Sequence, residues 1–232
     1  MGDAIAINGS DLPAYVNGQR CVFNHDPERE RYSDPDASWG HRSAIATRKG
    51  GGYYEYKLHT VVDVATELPI AWTVRSANAP KTLGVPGLLD ATRACGLEAG
   101  TAILDKGYDA TAIYDAGMAR GARPIVPLRR TQGVVLGWAD PPSCERGTWT
   151  FAGADTKRGA TNWRCPEGAC SPGSTWNKAD RLHALVPRST RRWRETFRRR
   201  GCIERSFGRL KHDWALLPLR VRGPTGSAST CT

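Results

Sequence analysis

Residues 197–211 read FRRRGCIERSFGRLK and place a single carboxylate, that of Glu204, at the centre of a strongly basic segment. Arg200 precedes Glu204 by four residues, and Lys211 follows it by seven. Because an α-helix has about 3.6 residues per turn, these offsets predict one helix with all three side chains on the same side. One acid flanked by two bases suggests metal-dependent chemistry on a phosphodiester.

The surroundings of this segment are also strongly basic. Between positions 188 and 222 only Glu195, Glu204 and Asp213 oppose a larger cationic set, which comprises Arg188, Arg191, Arg192, Arg194, Arg198, Arg199, Arg200, Arg205, Arg209, Lys211, Arg220 and Arg222. The whole chain has 33 Lys and Arg residues against 23 Asp and Glu residues, a formal charge of +10. The total charge is equally typical of an ordinary basic protein, but its clustering favours a nucleic-acid partner.

The spacing Phe197-x2-Arg200-x3-Glu204-x6-Lys211 resembles the Tyr-x2-Arg-x3-Glu-x6-Lys signature of DDE transposases from bacterial insertion sequences. Phe197 stands in the place of the signature tyrosine. In that family the signature glutamate is the last of three metal-binding acids. The resemblance therefore implies DNA cleavage and strand transfer.

Two further blocks support the same resemblance. Residues 104–109 (LDKGYD) are similar to the block around the family's second acid, and residues 52–59 (GYYEYKLH) are similar to its second core strand. The three blocks occur in order over most of residues 1–222. The chain starts close to the first strand and ends in a small polar tail, so we expect a truncated or frameshifted transposase domain.

Hydrophobic patterns predict an α/β order of elements. We expect a buried strand at 4–7 ending in an Asn8-Gly9 turn, a hairpin over 56–74, a helix from Pro86, a strand at 101–104, a helix at 110–120, a strand at 123–128 and a basic helix at 190–211. The resemblance implies a ribonuclease H-like mixed sheet flanked by helices. In that fold the first and fourth strands are neighbours.

Composition changes between Leu128 and Arg188, where Gly, Pro, Trp and Cys replace long apolar runs. We expect a β-rich Cys/Trp insertion at 129–188, with a compact aromatic core, interrupting a catalytic domain of residues 1–222. The small polar residues 223–232 predict a disordered tail.

The resemblance assigns the second and third acids to Asp105 and Glu204, as ligands of Mg²⁺ or Mn²⁺. Two such ions about 4 Å apart catalyse phosphoryl transfer in two-metal enzymes, and Mg²⁺ prefers oxygen ligands. Each acid has a structural alternative: Asp105 could cap a turn, and Glu204 could form an ion pair with Arg200 or Arg205.

DNA is the implied partner of the basic side chains, as insertion-sequence ends and target duplex bound by paired subunits. We predict that Arg200 and Lys211 hold phosphates, Arg through a bidentate fork and Lys as a point charge, and we add Arg205 and Arg209 to this set. Other arginines form a solvated face that assists non-specifically.

The first acid is where the chain departs from the family. Its place reads Ile7-Asn8-Gly9-Ser10, so an amide replaces a carboxylate. Asn offers a metal one carbonyl oxygen but no negative charge. Asp11 could substitute if a turn brought it inward. The sequence thus predicts impaired catalysis, and the competing function is a non-catalytic DNA-binding remnant.

Seven cysteines, an odd number, argue against a full disulfide framework. Cys165 and Cys170 form a C-x4-C pair, with Cys144 upstream and His183 downstream. Because the paired C-x2-C knuckles of common zinc sites are missing, incidental thiols are the preferred interpretation and zinc is the alternative.

No apolar run reaches the roughly 18 residues of a membrane-spanning helix, and the first residues do not resemble a signal peptide. We therefore expect a cytoplasmic, nucleoid-associated protein without a membrane partner.

Overall fold

The computed structural model describes residues 3–15, 20–21, 31–32, 34–42, 44, 49–129, 141–168 and 170–218. The predicted tail, residues 223–232, lies outside the described residues. Within these ranges no helix is long and apolar enough to cross a membrane.

The strands are, in chain order, β1 (Ala4–Pro13), β2 (Arg20–Cys21), β3 (Arg31–Tyr32), β4 (Ser38–Arg42), β5 (Gly51–Asp63), β6 (Pro69–Ser76), β7 (Thr101–Leu104), β8 (Arg123–Ile125), β9 (Ser143–Cys144), β10 (Gly147–Thr148), β11 (Thr150–Asp155), β12 (Ala160–Arg164) and β13 (Ser174–Lys178). The α-helices are α1 (Val85–Ala94), α2 (Thr111–Ala119), α3 (Arg191–Arg198) and α4 (Gly201–Gly208). Short 3₁₀ turns cover Lys81–Gly84 and Lys106–Tyr108, and a π-helical turn covers Arg209–Asp213.

The main sheet is mixed. β5 pairs antiparallel with β1 along one edge and with β4 and β6 along the other. β1 in turn pairs in parallel with β7, and β7 in parallel with β8. The strand β1 is therefore adjacent to both the antiparallel and the parallel half of the sheet.

Alternating side chains of β1 enter two separate cores. Ile5 and Ile7 belong to a cluster with α1 and α2, whereas Ala6 and Leu12 belong to a cluster with α4. This alternation follows from the two-residue period of a strand. The sheet consequently lies between two helical layers, and the protein is a mixed α/β structure as predicted.

The hairpin β5–β6, the strand β7 and the helices α1 and α2 confirm the sequence predictions. The predicted turn at Asn8-Gly9 is wrong, because β1 continues through these residues to Pro13 in register with β5. A Cβ on Gly9 would lie 3.0 Å from the imidazole of His59. Gly9 therefore permits close contact across the strand pair instead of reversing the chain.

The single helix predicted over residues 190–211 is also wrong. Thr190 caps α3 by accepting a hydrogen bond from the amide of Trp193, and α3 ends at Arg198. The amides of Arg200 and Ile203 then donate to carbonyls three residues earlier, at 3.0 and 3.1 Å. This 3₁₀-like junction includes Gly201, a residue with low helix propensity, and separates α3 from α4.

The segment between β8 and α3 contains the β9–β10 hairpin and the three-stranded sheet β11–β12–β13. The aromatic core of this segment is smaller than predicted. Trp163 is fully buried against Phe151, with ring centroids 5.6 Å apart, but Trp176 is exposed. The division of the chain into a domain and an insertion at 129–188 stays a prediction.

Truncating Ile203 to alanine should strongly destabilise the fold, because this fully buried side chain joins α4 to the sheet. Large-to-small substitutions of this kind cost about 2–5 kcal/mol. The free energy of unfolding should be measured by chemical denaturation. Leu83→Ala is the matched control, since Leu83 is exposed and its loss should cost less than about 1 kcal/mol. Equal losses would contradict the assigned core.

Candidate active site and nucleic-acid interface

Parallel pairing of β1 with β7 brings two of the predicted site positions to the same edge of the sheet. The last paired residues are Ile7 and Leu104, and the next residues along the two strands are Asn8 and Asp105. The sequence resemblance implied this neighbourhood, and the register shows it.

Asn8 faces α4, where its side-chain amide contacts Glu204. Its Nδ2 donates to Glu204 Oε1 at 3.2 Å, and its Oδ1 accepts from the amide of Gly9 at 2.9 Å. Arg200 Nη1 donates to the same Oε1 at 2.8 Å. Glu204 is thus ion-paired and hydrogen-bonded within the protein, and the ion pair expected as its structural alternative is present.

Asp105 caps the 3₁₀ turn that follows β7. Its Oδ1 accepts from the amide of Gly107 at 2.6 Å, and its Oδ2 lies 3.9 Å from Lys81 Nζ. The structural alternative for Asp105 is therefore also present. Lys81 was missed because it lies in a distant 3₁₀ turn, and no spacing in the sequence connects it to Asp105.

Asp11 is not brought beside Asn8. Because β1 continues without a turn, Asp11 lies three positions further along the strand, on its opposite face. Its Oδ1 is 3.5 Å from Lys57 Nζ, and its backbone carbonyl accepts from Lys211 Nζ at 2.9 Å.

Asn8, Asp105 and Glu204 together offer two carboxylates and one amide to a cation. In the ranges that the structure describes, the only group of three or more potential ligands whose ligand atoms lie within 4.8 Å of one another is Cys144, Cys165 and Cys170. At position 8, where the family has an acid, the side-chain N–H of Asn8 instead donates to Glu204. Metal binding by Asp105 and Glu204 stays a prediction.

Two of the predicted DNA-binding arginines are held by Glu67 in the β5–β6 turn. Arg205 Nε donates to both carboxylate oxygens of Glu67, at 2.9 and 3.1 Å, and Arg209 Nη2 donates to Oε2 at 3.0 Å. The hydrogen bond from Arg205 is the main cause that lowers the pKa of Glu67. Glu67 was missed because it lies 138 residues before Arg205.

The exposed face of α3 carries cations that are not engaged in this way. Arg192, Arg194, Arg198 and Arg199 are exposed and form no ion pair with another described residue. We call these four side chains the α3 arginine face. On the other side of α3, Trp193 and Phe197 stack with ring centroids 4.9 Å apart. The sequence pattern predicts only an auxiliary, non-specific role for this face.

A buried histidine lies beside the candidate site. His59 Nδ1 and Tyr108 Oη are 3.0 Å apart, and His59 Nε2 has no hydrogen-bond partner among the described residues. Burial, followed by the charges of Lys81, Lys57 and Arg75, lowers the pKa of His59 to about 4, whereas Asp105 opposes this shift. His59 is therefore neutral at pH 7.

Comparison with known proteins places the chain among transposases. The family model described as "Transposase DDE domain" matches residues 4–230, and the chain belongs to that family. This match confirms the DDE transposase resemblance.

A structure of the piggyBac transposase synaptic complex with hairpin DNA is similar, with 10% identity and a TM-score of 0.40. The match covers 88% of this chain and 39% of that chain, so this chain spans well under half of that protein's length. No curated protein matches the chain in sequence.

Acidification should destabilise the fold through His59. The pKa of about 4 in the folded protein lies below the ordinary histidine value of 6.5, so the unfolded state binds the proton first as pH falls. The contribution of His59 to the free energy of unfolding should therefore be fully present above pH 6.5. It should be lost as the pH falls to about 4, a decrease of up to about 3 kcal/mol. Denaturation should be compared for wild type and His59→Gln across this range. The difference between their unfolding free energies should change with pH, and parallel curves would contradict the prediction.

Proposed function

We propose that this chain is the transposase domain of a bacterial insertion sequence, that it binds double-stranded DNA, and that it no longer catalyses metal-dependent cleavage. The proposed fold is ribonuclease H-like. Its support is the adjacency of β1 and β7, the first and fourth core strands, in a mixed sheet flanked by helices. We further propose a domain of residues 1–222 interrupted at 129–188.

The proposed ligand is the end of the insertion sequence, together with target DNA. The α3 arginine face supports this proposal, because exposed guanidinium groups that form no ion pair with the described residues can bind phosphates at little electrostatic cost. Arg205 and Arg209 would first have to break their ion pairs with Glu67 before they could bind phosphates. Two subunits would act together on DNA, and such a ligand would locate the protein to the bacterial nucleoid.

The contact between Asn8 and Glu204 carries the proposal of lost catalysis. The family's reaction is a phosphoryl transfer supported by two divalent ions, Mg²⁺ or Mn²⁺, held by three acids. With Asp at position 8, two carboxylates would face each other at about the present distance, and a cation between them would offset their repulsion. The Asn8 amide instead donates to Glu204, so the pair is satisfied without a cation.

Asn8→Asp should create a divalent-metal requirement that wild type lacks. Without metal, the new carboxylate should repel Glu204 and lower the melting temperature, and Mg²⁺ or Mn²⁺ should restore it. Thermal unfolding should be measured with and without metal for wild type, Asn8→Asp and Asn8→Ser. The serine variant controls for loss of the amide without a new charge. An equal metal response in wild type and Asn8→Asp would contradict the proposal.

DNA cleavage provides the functional test of the same substitution. Duplexes carrying the DNA that flanks the gene should be incubated with wild type, Asn8→Asp, and Asn8→Asp combined with Glu204→Gln. Cleavage above background should appear only in Asn8→Asp with Mg²⁺ or Mn²⁺. Comparable cleavage by wild type would show that Asn8 does not impair catalysis.

The α3 arginine face should dominate the salt dependence of DNA binding. Arg194 and Arg198, four residues apart on the same side of α3, would be changed together to glutamine. Each lost phosphate contact should lower the slope of log affinity against log salt by about 0.9, and thus by about 1.8 for both. Lys157→Gln, in the β11–β12 turn, is the control. A slope unchanged by the double substitution would refute this interface.

A further inference from the structure

Three cysteines converge in the β-rich segment between β8 and α3. The Sγ atoms of Cys144, Cys165 and Cys170 all lie within 4.8 Å of one another. None of the three forms a disulfide bond. In a tetrahedral zinc site with Zn–S bonds of about 2.3 Å, neighbouring sulfurs are about 3.8 Å apart, so only small side-chain adjustments are needed.

The backbone presents these thiols from two tight turns. Cys144 is the last residue of β9 and pairs with Gly147. Cys165 follows β12, and its backbone carbonyl accepts a hydrogen bond from the amide of Gly168 at 3.2 Å. Gly147 and Gly168 have φ values of +127° and +66°, which glycine adopts most readily. Cys170 follows in the second loop.

An exposed ion pair connects the two turns. Arg146, between Cys144 and Gly147, donates through Nη1 to Glu167 Oε2 at 2.8 Å, and Glu167 lies between Cys165 and Gly168. The second loop is closed separately, by a hydrogen bond of 2.9 Å from the amide of Cys165 to the carbonyl of Gly173. The convergence of the three sulfurs is thus supported by contacts outside the thiols.

The hydrophobic core of this segment is small. Most residues of β11 and β13 are exposed or half-buried, and Trp163 is the one fully buried large side chain described between β9 and β13. Small β structures with so little buried apolar surface commonly depend on a metal or on disulfides. A cross-link between the two turns would supply the missing constraint.

We propose that Cys144, Cys165 and Cys170 bind one zinc ion as thiolates and that this ion joins the β9–β10 hairpin to the loop between β12 and β13. Each thiol releases its proton to water when it binds. The fourth position is taken by a water molecule, because among the described residues no His, Asp, Glu or fourth Cys completes the group. His183 instead lies 3.4 Å from Asp180.

The first test uses purified full-length protein loaded with zinc alone. Elemental analysis should find about one zinc per chain, and X-ray absorption should show three sulfur ligands at about 2.3 Å and one oxygen or nitrogen ligand. Chelation should make three additional thiols reactive and lower the melting temperature. A zinc-free protein after loading, or a shell with one sulfur or none, would overturn the proposal.

Substitutions test which cysteines bind the metal. Cys144→Ser and Cys170→Ser, at half-buried positions, should each lower zinc affinity at least about tenfold, whereas the exposed Cys95→Ser should retain it. If a variant does not fold, Co²⁺ loaded into wild type gives an independent readout, since thiolate-to-cobalt absorption reports sulfur ligation. Unchanged zinc affinity in both test variants, or a disulfide within the trio in freshly purified protein, would refute the site. These outcomes are independent of DNA binding and cleavage.

Discussion

The position of β1 between an antiparallel and a parallel neighbour is the constraint on which the rest of the structure depends. Pairing with β5 on one side and β7 on the other satisfies both edges of the strand, and its alternating side chains enter the cores of both helical layers. A shift of one residue in its register would exchange these faces and would turn Asn8 away from α4. Fold and candidate site are therefore specified by the same pairing.

Local patterns in the sequence were sufficient to predict the β5–β6 hairpin, β7, α1 and α2, because each has a strong hydrophobic period and a recognisable boundary. They misplaced the end of β1, since Asn8-Gly9 favours a turn in isolation but is overridden by pairing with β5. The break between α3 and α4 depends on hydrogen bonds three residues apart, which a side-chain period of 3.6 does not reveal.

The candidate site was predictable as a set of residues but not as a set of contacts. The positions of Asn8, Asp105 and Glu204 follow from the family pattern, and the effect of the amide at position 8 follows from its chemistry. The contacts of Lys81 and Glu67, and the convergence of the three cysteines, connect elements that are distant in sequence. Such contacts are set by tertiary packing, for which a single sequence carries no periodic signal.

The junction between α3 and α4 divides the terminal helical region into two helices. α4 is fixed to the sheet by Cys202, Ile203 and Phe207, whereas α3 has a single buried anchor, Trp193. The exposed arginines of α3 and the acid beside Asn8 thus lie on helices with separate buried contacts, so a substitution in one helix need not disturb the packing of the other.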